Sequence, residues 1–456
     1  MNNKKNENMY NPTHNTSYSK CNDIIFAQAT VKGKAGLMVF RISGKGTINL
    51  LKKFCNYQKS WVPRKLYLTN ICNPQTNELI DKAIIIFFQK NNSFTGEEVV
   101  ELHLHGSIAI AKLLTEALLE TKETRAAEPG EFIKRAFLNG KMDLTEIEGV
   151  ADLIDAETKI QHQFAIKQAT GSLKRLYQNW KNKLLKIMSL LEAYLDFSDE
   201  EVPDTVIQDA NNIVQDLIQA IENHIKDYRF GERLRHGIKT VILGKPNVGK
   251  STLFNYLAKR EAAIVSNIAG TTRDILEIHL DIGGYPILLM DTAGLRKNTN
   301  DIIEKEGVER SKKAAEIADI IILVMDSLDD IVTISNKNII YVLNKIDLYN
   351  DFNTTTGLDI VKISLKNNIG IEILLQKILC IAENSITNND TAILNTRYRH
   401  SLKMALQYLQ NFSKQKDLVL AIEDIKNVIN SLKIITGEIN VEDVLDKIFS
   451  NFCIGK

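Results

Sequence analysis

The stretch Gly244-Lys-Pro-Asn-Val-Gly-Lys-Ser251 decides the fold of this chain. It follows an apolar run that begins at Val241 and precedes a helical pattern, as a phosphate-binding loop requires. Glycines let backbone N–H groups close around phosphate oxygens, and the N-terminus of the next helix favours negative charge. Lys250 is predicted to contact the β- and γ-phosphates and to act in catalysis, and the Ser251 hydroxyl is predicted to ligate Mg²⁺.

Three further motifs and a threonine pair follow in the order of a guanine-nucleotide-binding domain. Asp291-Thr-Ala-Gly294 ends an apolar strand, where its carboxylate can reach Mg²⁺ and its glycine N–H can sense the γ-phosphate. Thr271-Thr272 lies between the first two motifs, where a threonine would complete the Mg²⁺ shell.

The last two motifs read the base. Asn344-Lys-Ile-Asp347 follows another strand, and its aspartate can accept two hydrogen bonds from guanine N1–H and N2–H₂, which adenine cannot offer. Ser364-Leu-Lys366 is predicted to contact the guanine oxygen. The ordered set predicts GTP binding and hydrolysis. The predicted nucleotide-binding residues are Asn247, Val248, Gly249, Lys250, Ser251, Thr252, Ser266, Asn267, Ile268, Ala269, Gly270, Thr271, Thr272, Asp291, Thr292, Ala293, Gly294, Asn344, Lys345, Ile346, Asp347, Ser364, Leu365 and Lys366.

The residue after the Asp-Thr-Ala-Gly motif indicates how hydrolysis is achieved. Many GTPases place a glutamine there to orient the attacking water, but this chain has Leu295, which cannot hydrogen-bond water. Asn247 and the loop 266–272 carry oxygens that could hold a monovalent cation near the phosphates, where positive charge stabilises the transition state. The alternative role for Asn247 is to brace the loop.

Composition predicts a multidomain globular protein. With 456 residues the chain is too long for one core, and its net charge of +1 gives no global basic field. No run reaches the ~20 apolar residues of a membrane helix. Residues 1–22 lack the apolar core of a signal peptide and are expected to be a disordered tail. The five scattered cysteines, odd in number and without a CxxC pair, indicate a reducing compartment, so we expect a cytoplasmic protein.

Periodicity divides the chain into regions. Strand-like runs alternate with turns in the first region, 144–196 and 204–228 show long helical periodicity, and strands alternate with helices from Ile238 onward. The prediction is a multidomain α+β protein: a P-loop α/β domain inserted into a helical domain, after an N-terminal α+β domain. Its expected parts are the tail 1–22, the N-terminal domain 23–140, the first helical part 141–235, the inserted domain 236–392 and the second helical part 393–456.

These motifs resemble the MnmE (TrmE) family of tRNA-modification GTPases. The resemblance runs from about Asp23 to Lys456 and includes Ile268-Ala-Gly-Thr-Thr-Arg-Asp274, Arg135-Ala-Phe-Leu-Asn-Gly-Lys141 and the C-terminal Cys453-Ile-Gly-Lys456. It implies an N-terminal folate-binding domain, a homodimer formed through that domain, and an FAD-dependent partner of the MnmG type in a heterotetramer. It also implies potassium-stimulated GTP hydrolysis and addition of an aminomethyl-type group, from a tetrahydrofolate derivative, to C5 of the wobble uridine of tRNA.

The resemblance also assigns roles to residues of this sequence. It implies Mg²⁺ at Ser251 and Thr272. It also implies Glu304 as the water-orienting acid; Glu306 is a less favoured candidate, because the segment between Arg296 and Glu304 is one residue longer than expected for the family. The implied potassium ligands are Asn247, Ser266, Ile268 and Thr271, and the implied folate-binding residues are Arg41, Glu101, Lys141 and Lys456. Three departures from the family pattern touch no predicted catalytic group: Leu365, Ser107 and Val31.

Some of these residues have plainer interpretations. Without the resemblance, Arg41 and Glu101 would be surface charges on edge strands. His103 and His105 share a strand face, but two histidines without a third ligand are more often packed or solvated than metal-bound. Cys453 is either a thiol nucleophile or a partly buried structural cysteine.

Two other functions compete with GTP-dependent tRNA modification. A ribosome-assembly GTPase switch would carry an RNA-binding domain after the GTPase domain, and this chain has helices and Cys-Ile-Gly-Lys there instead. A folate-binding regulatory module with a vestigial GTPase domain is disfavoured by the intact nucleotide motifs.

Overall fold

The computed structural model describes most of the chain. The described residues are 23–55, 60–196, 205–226, 228–261, 276–291, 314–328, 338–348, 358–386, 395–415, 417–439, 448–449, 452 and 455. They form two compact units, one of Met1–Met142 with Glu442–Lys456 and one of Asp143–Val441. No described helix is long and apolar enough to cross a membrane.

The first unit is built on a six-stranded sheet in the order β3-β4-β5-β2-β1-β6. Only β6 runs parallel to its neighbour. Apolar side chains that alternate along the strands pack on α1 and α2 and form one core, as the period-2 pattern of a half-buried strand dictates. The elements are β1 Ile24–Gln28, β2 Ala35–Ser43, α1 Thr47–Phe54, β3 Leu66–Cys72, β4 Leu79–Phe88, β5 Val99–Gly106, α2 Ile108–Glu120, β6 Thr124–Ala126 and α3 Glu131–Leu138.

The second unit begins and ends with helices. The first five are α4 Leu144–Asp155, α5 Lys159–Ala169, α6 Ser172–Asp196, α7 Thr205–Lys226 and α8 Tyr228–His236. The last two are α11 Thr396–Phe412 and α12 Leu418–Thr436. Leucines and aromatic rings of α6, α7, α11 and α12 share one core, so segments on both sides of the inserted region build the same helical body.

Between these helices lies a mostly parallel sheet in the order β12-β11-β10-β7-β9-β8, with β8 antiparallel at its edge. Its elements are β7 Ile238–Leu243, α9 Lys250–Glu261, β8 Leu276–Ile282, β9 Tyr285–Asp291, β10 Ile320–Met325, β11 Asn338–Leu343, β12 Ile360–Lys362 and α10 Ile371–Ser385. Because β7, β9, β10, β11 and β12 run parallel, their carboxyl ends meet at one edge of the sheet. Ligands of open α/β sheets bind at that edge.

The helical stretch predicted over 144–196 is in fact three helices. Thr158 begins α5 with a reciprocal capping box to Gln161, and Asp143 begins α4 in the same way with Glu146. Gly149 lets α4 approach the end of α5, since a Cβ there would lie 2.4 Å from the amide nitrogen of Ala169. The predicted strands 241–244, 287–291, 320–325 and 339–343 correspond to β7, β9, β10 and β11.

Candidate functional site

The phosphate-binding loop joins the end of β7 to the start of α9. Gly244 has φ +147°, and a Cβ there would lie 2.0 Å from the carbonyl oxygen of Val324, so only glycine fits. Lys250 Nζ donates a hydrogen bond to the carbonyl oxygen of Lys245, 2.6 Å away, and thus bends back over the loop. Ser251 is exposed in the first turn of α9. The ammonium, the hydroxyl and the helix N-terminus fit a nucleotide phosphate with its Mg²⁺.

Asn247 stands at the tip of this loop. Its backbone has φ 66°, and its side chain is exposed and makes no hydrogen bond to any described residue. This places the Asn247 side chain at the solvent-exposed tip of the phosphate loop.

Asn344 braces the loop from the end of β11. It is 4% exposed, and its Nδ2 donates a hydrogen bond of 2.8 Å to the carbonyl oxygen of Val248. Gly249 is required beside it, because a Cβ there would lie 2.3 Å from the same nitrogen. The Asn-Lys-Ile-Asp motif is thus bonded directly to the phosphate loop, a contact between residues far apart in sequence.

Asp347 and Ser364, both predicted to read the base, lie together. Ser364 Oγ donates a hydrogen bond of 2.6 Å to Asp347 Oδ1, while Ser364 itself is buried. The hydrogen bond from Ser364 lowers the pKa of the Asp347 carboxyl, and the charge of Lys366 contributes. An exposed, ionised carboxylate is therefore fixed in place with its second oxygen free of that bond. This is what recognition of two guanine N–H groups needs.

A further acid beside this motif was not anticipated from the sequence. Asp326, just after β10, forms an ion pair with Lys345, with 2.9 Å between Asp326 Oδ2 and Lys345 Nζ. Lys345 has a left-handed backbone with φ 62°. The pair holds the lysine against the neighbouring strand end, and only the parallel β10–β11 pairing could reveal it.

Several predicted site residues lie outside the described residues. The whole loop 266–272 is among them, as are Thr292, Ala293, Gly294, Glu304, Cys453 and Lys456. Asp291 ends β9 at the same sheet edge as the phosphate loop, but its side chain is not described. Thr252, Ile346 and Leu365 are described close to the loop and the base motifs.

Arg41 and Glu101 face each other on the central strands β2 and β5. The reading of both as edge-strand surface charges is therefore wrong. Arg41 Nε and Nη2 donate hydrogen bonds of 3.0 and 2.9 Å to Glu101 Oε1. The guanidinium carbon also lies 5.5 Å from the ring centre of Phe94 and 5.9 Å from that of Phe132.

The C-terminal end of the chain reaches this pair. Arg41 Nη1 donates a long hydrogen bond of 3.5 Å to the carbonyl oxygen of Gly455. Gly455 has φ +104°, and a Cβ there would lie 2.6 Å from the carbonyl oxygen of Gln28. Gly455 and the N-terminal sheet thus meet at Arg41.

A cavity of ≈ 770 Å³ opens beside the same aromatic ring. The sheet contributes its apolar floor, and the loop after β4 contributes amides and a hydroxyl. Lys141 stands at its rim and donates a hydrogen bond to the carbonyl oxygen of Asn91. The lining residues are Arg64, Leu66, Ile86, Phe88, Asn91, Asn92, Ser93, Phe94 and Lys141. An apolar floor with a few cationic and amide groups is the composition of a small-molecule site.

A buried ion network joins α3 to distant parts of the N-terminal domain. Arg135, 4% exposed, contacts Asp23 Oδ1 at 2.8 Å, Glu131 Oε1 at 3.0 Å and Glu97 Oε2 at 3.1 Å. Burial works to raise the pKa of Glu131, but hydrogen bonds from Arg125, the Glu128 amide and Arg135 outweigh it and lower the pKa. The network ties α3 to β1 and to the loop before β5.

The two histidines of β5 pair with acids. His105 Nδ1 lies 2.8 Å from Asp81 Oδ1, and His103 Nε2 lies 3.7 Å from Glu101 Oε2. Among the described residues there is no group of three or more histidine, cysteine or acidic side chains that could hold a metal ion.

These features together define a guanine-nucleotide-binding P-loop protein with an N-terminal α+β domain and a helical domain that surrounds the insertion. A family model described as the MnmE helical domain matches residues 144–453, and one described as the GTP-binding protein TrmE N-terminus matches residues 24–141. The chain belongs to the MnmE (TrmE) family of tRNA modification GTPases.

Relatives match over nearly the whole chain. The tRNA modification GTPase MnmE of Rickettsia typhi is 50% identical over 445 residues, and that of Rickettsia prowazekii is 50% identical over 446 residues. Each match covers 95% of this chain and 100% of the relative. Among solved structures, the G domain of the T. maritima FeoB iron transporter is 28% identical and covers 32% of this chain and 99% of its own, with a TM-score of 0.24.

Proposed function

We propose that this chain hydrolyses GTP to drive a folate-linked modification at C5 of the tRNA wobble uridine. The observation that carries the proposal is the meeting of phosphate loop, brace and base-reading carboxylate at one sheet edge. Asn344 holds the loop at Val248, and Ser364 orients Asp347 toward the place where a base would lie. The relatives' name, tRNA modification GTPase, supplies the substrate class.

In the nucleotide site, Lys250 neutralises phosphate charge, and Ser251 with Thr272 would hold Mg²⁺, which supplies further positive charge at the phosphates when bound. Potassium is proposed at Asn247, Ser266, Ile268 and Thr271. The exposure of Asn247 at the tip of the phosphate loop supports this. Glu304 is the proposed acid that orients the attacking water, a role that Leu295 cannot fill.

The folate derivative is proposed to bind the N-terminal domain at Arg41, Glu101, Lys141 and Lys456. Support comes from the Arg41–Glu101 pair, because the guanidinium carbon of Arg41 lies 5.5 and 5.9 Å from two aromatic ring centres and Nη1 donates to the carbonyl of Gly455. The adjoining cavity, with Lys141 at its rim, has room for such a ligand.

The proposed assembly is a cytoplasmic homodimer that joins an FAD-dependent MnmG-type protein in a heterotetramer. The sheet face around β3 and β4 supports dimerisation through the N-terminal domain, because Leu66, Leu68 and Ile84 share it and are 63%, 64% and 38% exposed. Adjacent exposed apolar side chains on one face commonly mark an interface.

Nucleoside analysis tests the modification. tRNA from cells that lack this gene should lose the C5 substituent of the wobble uridine, and the wild-type gene should restore it. Full modification in the deleted strain would refute the tRNA role.

The cation role is tested by GTP turnover in potassium and in sodium at matched ionic strength. Wild-type turnover should be faster in potassium, since sodium is smaller and fits a cage of oxygen ligands built for potassium poorly. Asn247→Ala should abolish the stimulation while nucleotide affinity, which rests on Lys250 and Asp347, survives. Equal wild-type rates in both salts would reject the potassium site.

A further inference from the structure

Helix α6 lies in a segment whose charge differs from that of the rest of the chain. The whole chain balances 57 basic against 56 acidic residues, yet residues 159–191 contain seven lysines and arginines and not one aspartate or glutamate. Such a run is unusual in a helical bundle, where opposite charges normally alternate along exposed faces and pair.

The cations of α6 divide into two groups. Lys174 pairs with Glu146 at 2.7 Å and Lys181 with Glu438 at 2.6 Å, so these two help to hold the bundle together. The other three, Arg175, Lys183 and Lys186, have no carboxylate within ion-pair distance among the described residues.

These three cations lie on the side of α6 that faces away from the core, and Arg175 Nη1 also donates a hydrogen bond of 2.8 Å to the carbonyl oxygen of Thr170. At about 100° per residue, Asn182 and Lys186 each lie about 20° from Arg175 on the helix, on opposite sides of it, and Lys183 lies about 80° from Arg175. Residues on the opposite side, Leu173 and Leu184 among them, are fully buried in the helical core. Arg175, Asn182, Lys183 and Lys186, which we call the α6 basic stripe, are all exposed.

The stripe has the spacing and chemistry of a phosphate-backbone contact. At about 1.5 Å per residue, Arg175 and Lys186 are about 16 Å apart along the axis. A nucleic-acid duplex carries a phosphate about every 3.4 Å along each strand, so this length spans about five phosphates. Asn182 adds amide donors between the cations, and backbone-contacting sites commonly combine such groups.

We infer that the α6 basic stripe docks the phosphate backbone of the tRNA substrate. The inference rests on the proposed tRNA role and adds the surface that receives the RNA. The stripe lies in the helical body, away from the nucleotide motifs, so docking there leaves the GTP site free.

The test is tRNA binding by the full chain, measured against potassium chloride concentration with a tRNA transcript. The variant R175Q/K183Q/K186Q removes three cations and keeps polar side chains. Each lost phosphate contact should flatten the salt dependence by about 0.7–0.9 in log K against log[salt], so we expect the slope to fall by about 2–3. At about 0.15 M salt this corresponds to binding that is weaker on the order of 100-fold.

The matched control is K403Q/K414Q/K426Q, which removes three exposed lysines from α11, the turn after it and α12. The control should bind tRNA within about two-fold of wild type, and both variants should hydrolyse GTP at the wild-type rate. Equal losses in the two variants would mean that only net charge matters, and unchanged binding by the stripe variant would place the tRNA elsewhere. Both results overturn the inference.

Two further outcomes separate this inference from the proposed function. Two results together would reject both the inference and the proposed function: the wild-type chain binds no tRNA, and deletion of the gene leaves the wobble uridines of tRNA unchanged. Loss of binding to vesicles containing anionic phospholipid, with tRNA binding unchanged, would assign the stripe to a membrane surface and overturn tRNA docking alone.

Discussion

The brace between Asn344 and the phosphate loop leads to a prediction whose size follows from its geometry. Asn344→Ala removes the 2.8 Å hydrogen bond to the Val248 carbonyl, and both residues are buried, 4% and 1% exposed. Leaving a buried acceptor unpaired costs about 1–3 kcal/mol. Because the loop must keep its shape to hold phosphates, we expect the nucleotide Kd to rise about 5- to 140-fold.

The assay is equilibrium titration with fluorescent guanine and xanthine nucleotides. Asn344→Ala should weaken the binding of guanine and xanthine nucleotides by the same factor, since the Asn344 side chain acts on the phosphate loop and not on the base. The matched control is Asn338→Ala at the other end of β11, where the side chain is exposed and its only hydrogen bond to the described part of the chain is a long one of 3.4 Å. That control should change Kd by less than two-fold. A wild-type Kd in Asn344→Ala, or a loss confined to one base, would refute the reasoning.

Three other predictions follow from the described contacts. Asp347→Asn should weaken GTP binding on the order of 100-fold and improve xanthine nucleotide binding, whereas the exposed control Asp359→Asn should do neither in the same titration. Arg135→Met should lower the unfolding free energy by about 3–5 kcal/mol, because it removes the buried cation shared by Asp23, Glu97 and Glu131 and leaves Glu131 paired with Arg125 alone, and thermal melts would show the loss. Because the pKa of Glu131 is lowered in the folded protein, this carboxylate contributes to the free energy of unfolding above the ordinary glutamate pKa. That contribution is lost as pH falls through the folded-state pKa. Wild-type melting should therefore fall more steeply than that of Arg135→Met below about pH 4.3, and parallel curves would contradict this. Deleting Cys453–Lys456 should leave GTP turnover near wild type and abolish modification in cells, and a truncated chain that still modifies tRNA would count against the folate role of the tail.

The nucleotide sheet was largely predictable because its motifs come directly after continuous apolar runs. All six residues of β10 are buried, as a central parallel strand requires. The edge strand β8 was missed, although its residues alternate apolar and polar as in a half-buried strand and the Gly283-Gly284 turn after it is a recognised hairpin signal. The three-residue β6 is too short to show any period.

The contacts that hold the sites together could not be predicted from the sequence. The Asn344–Val248 bond joins residues 96 apart, and the Arg41–Glu101 pair joins residues 60 apart. Motifs indicate which residue types meet a phosphate or a base, but which neighbour fixes each side chain depends on strand order. The central position of β2 and β5, which corrected the edge-strand reading of Arg41, is a property of that order.

The central claim is tested most directly by phosphate release from GTP and from ATP, measured with the purified full chain in potassium chloride with Mg²⁺. The base-reading carboxylate of Asp347, fixed by Ser364, predicts that GTP is hydrolysed and that ATP turnover, as kcat/KM, is lower by at least about 10³-fold. Equal turnover of the two nucleotides, or none of GTP, would contradict the account.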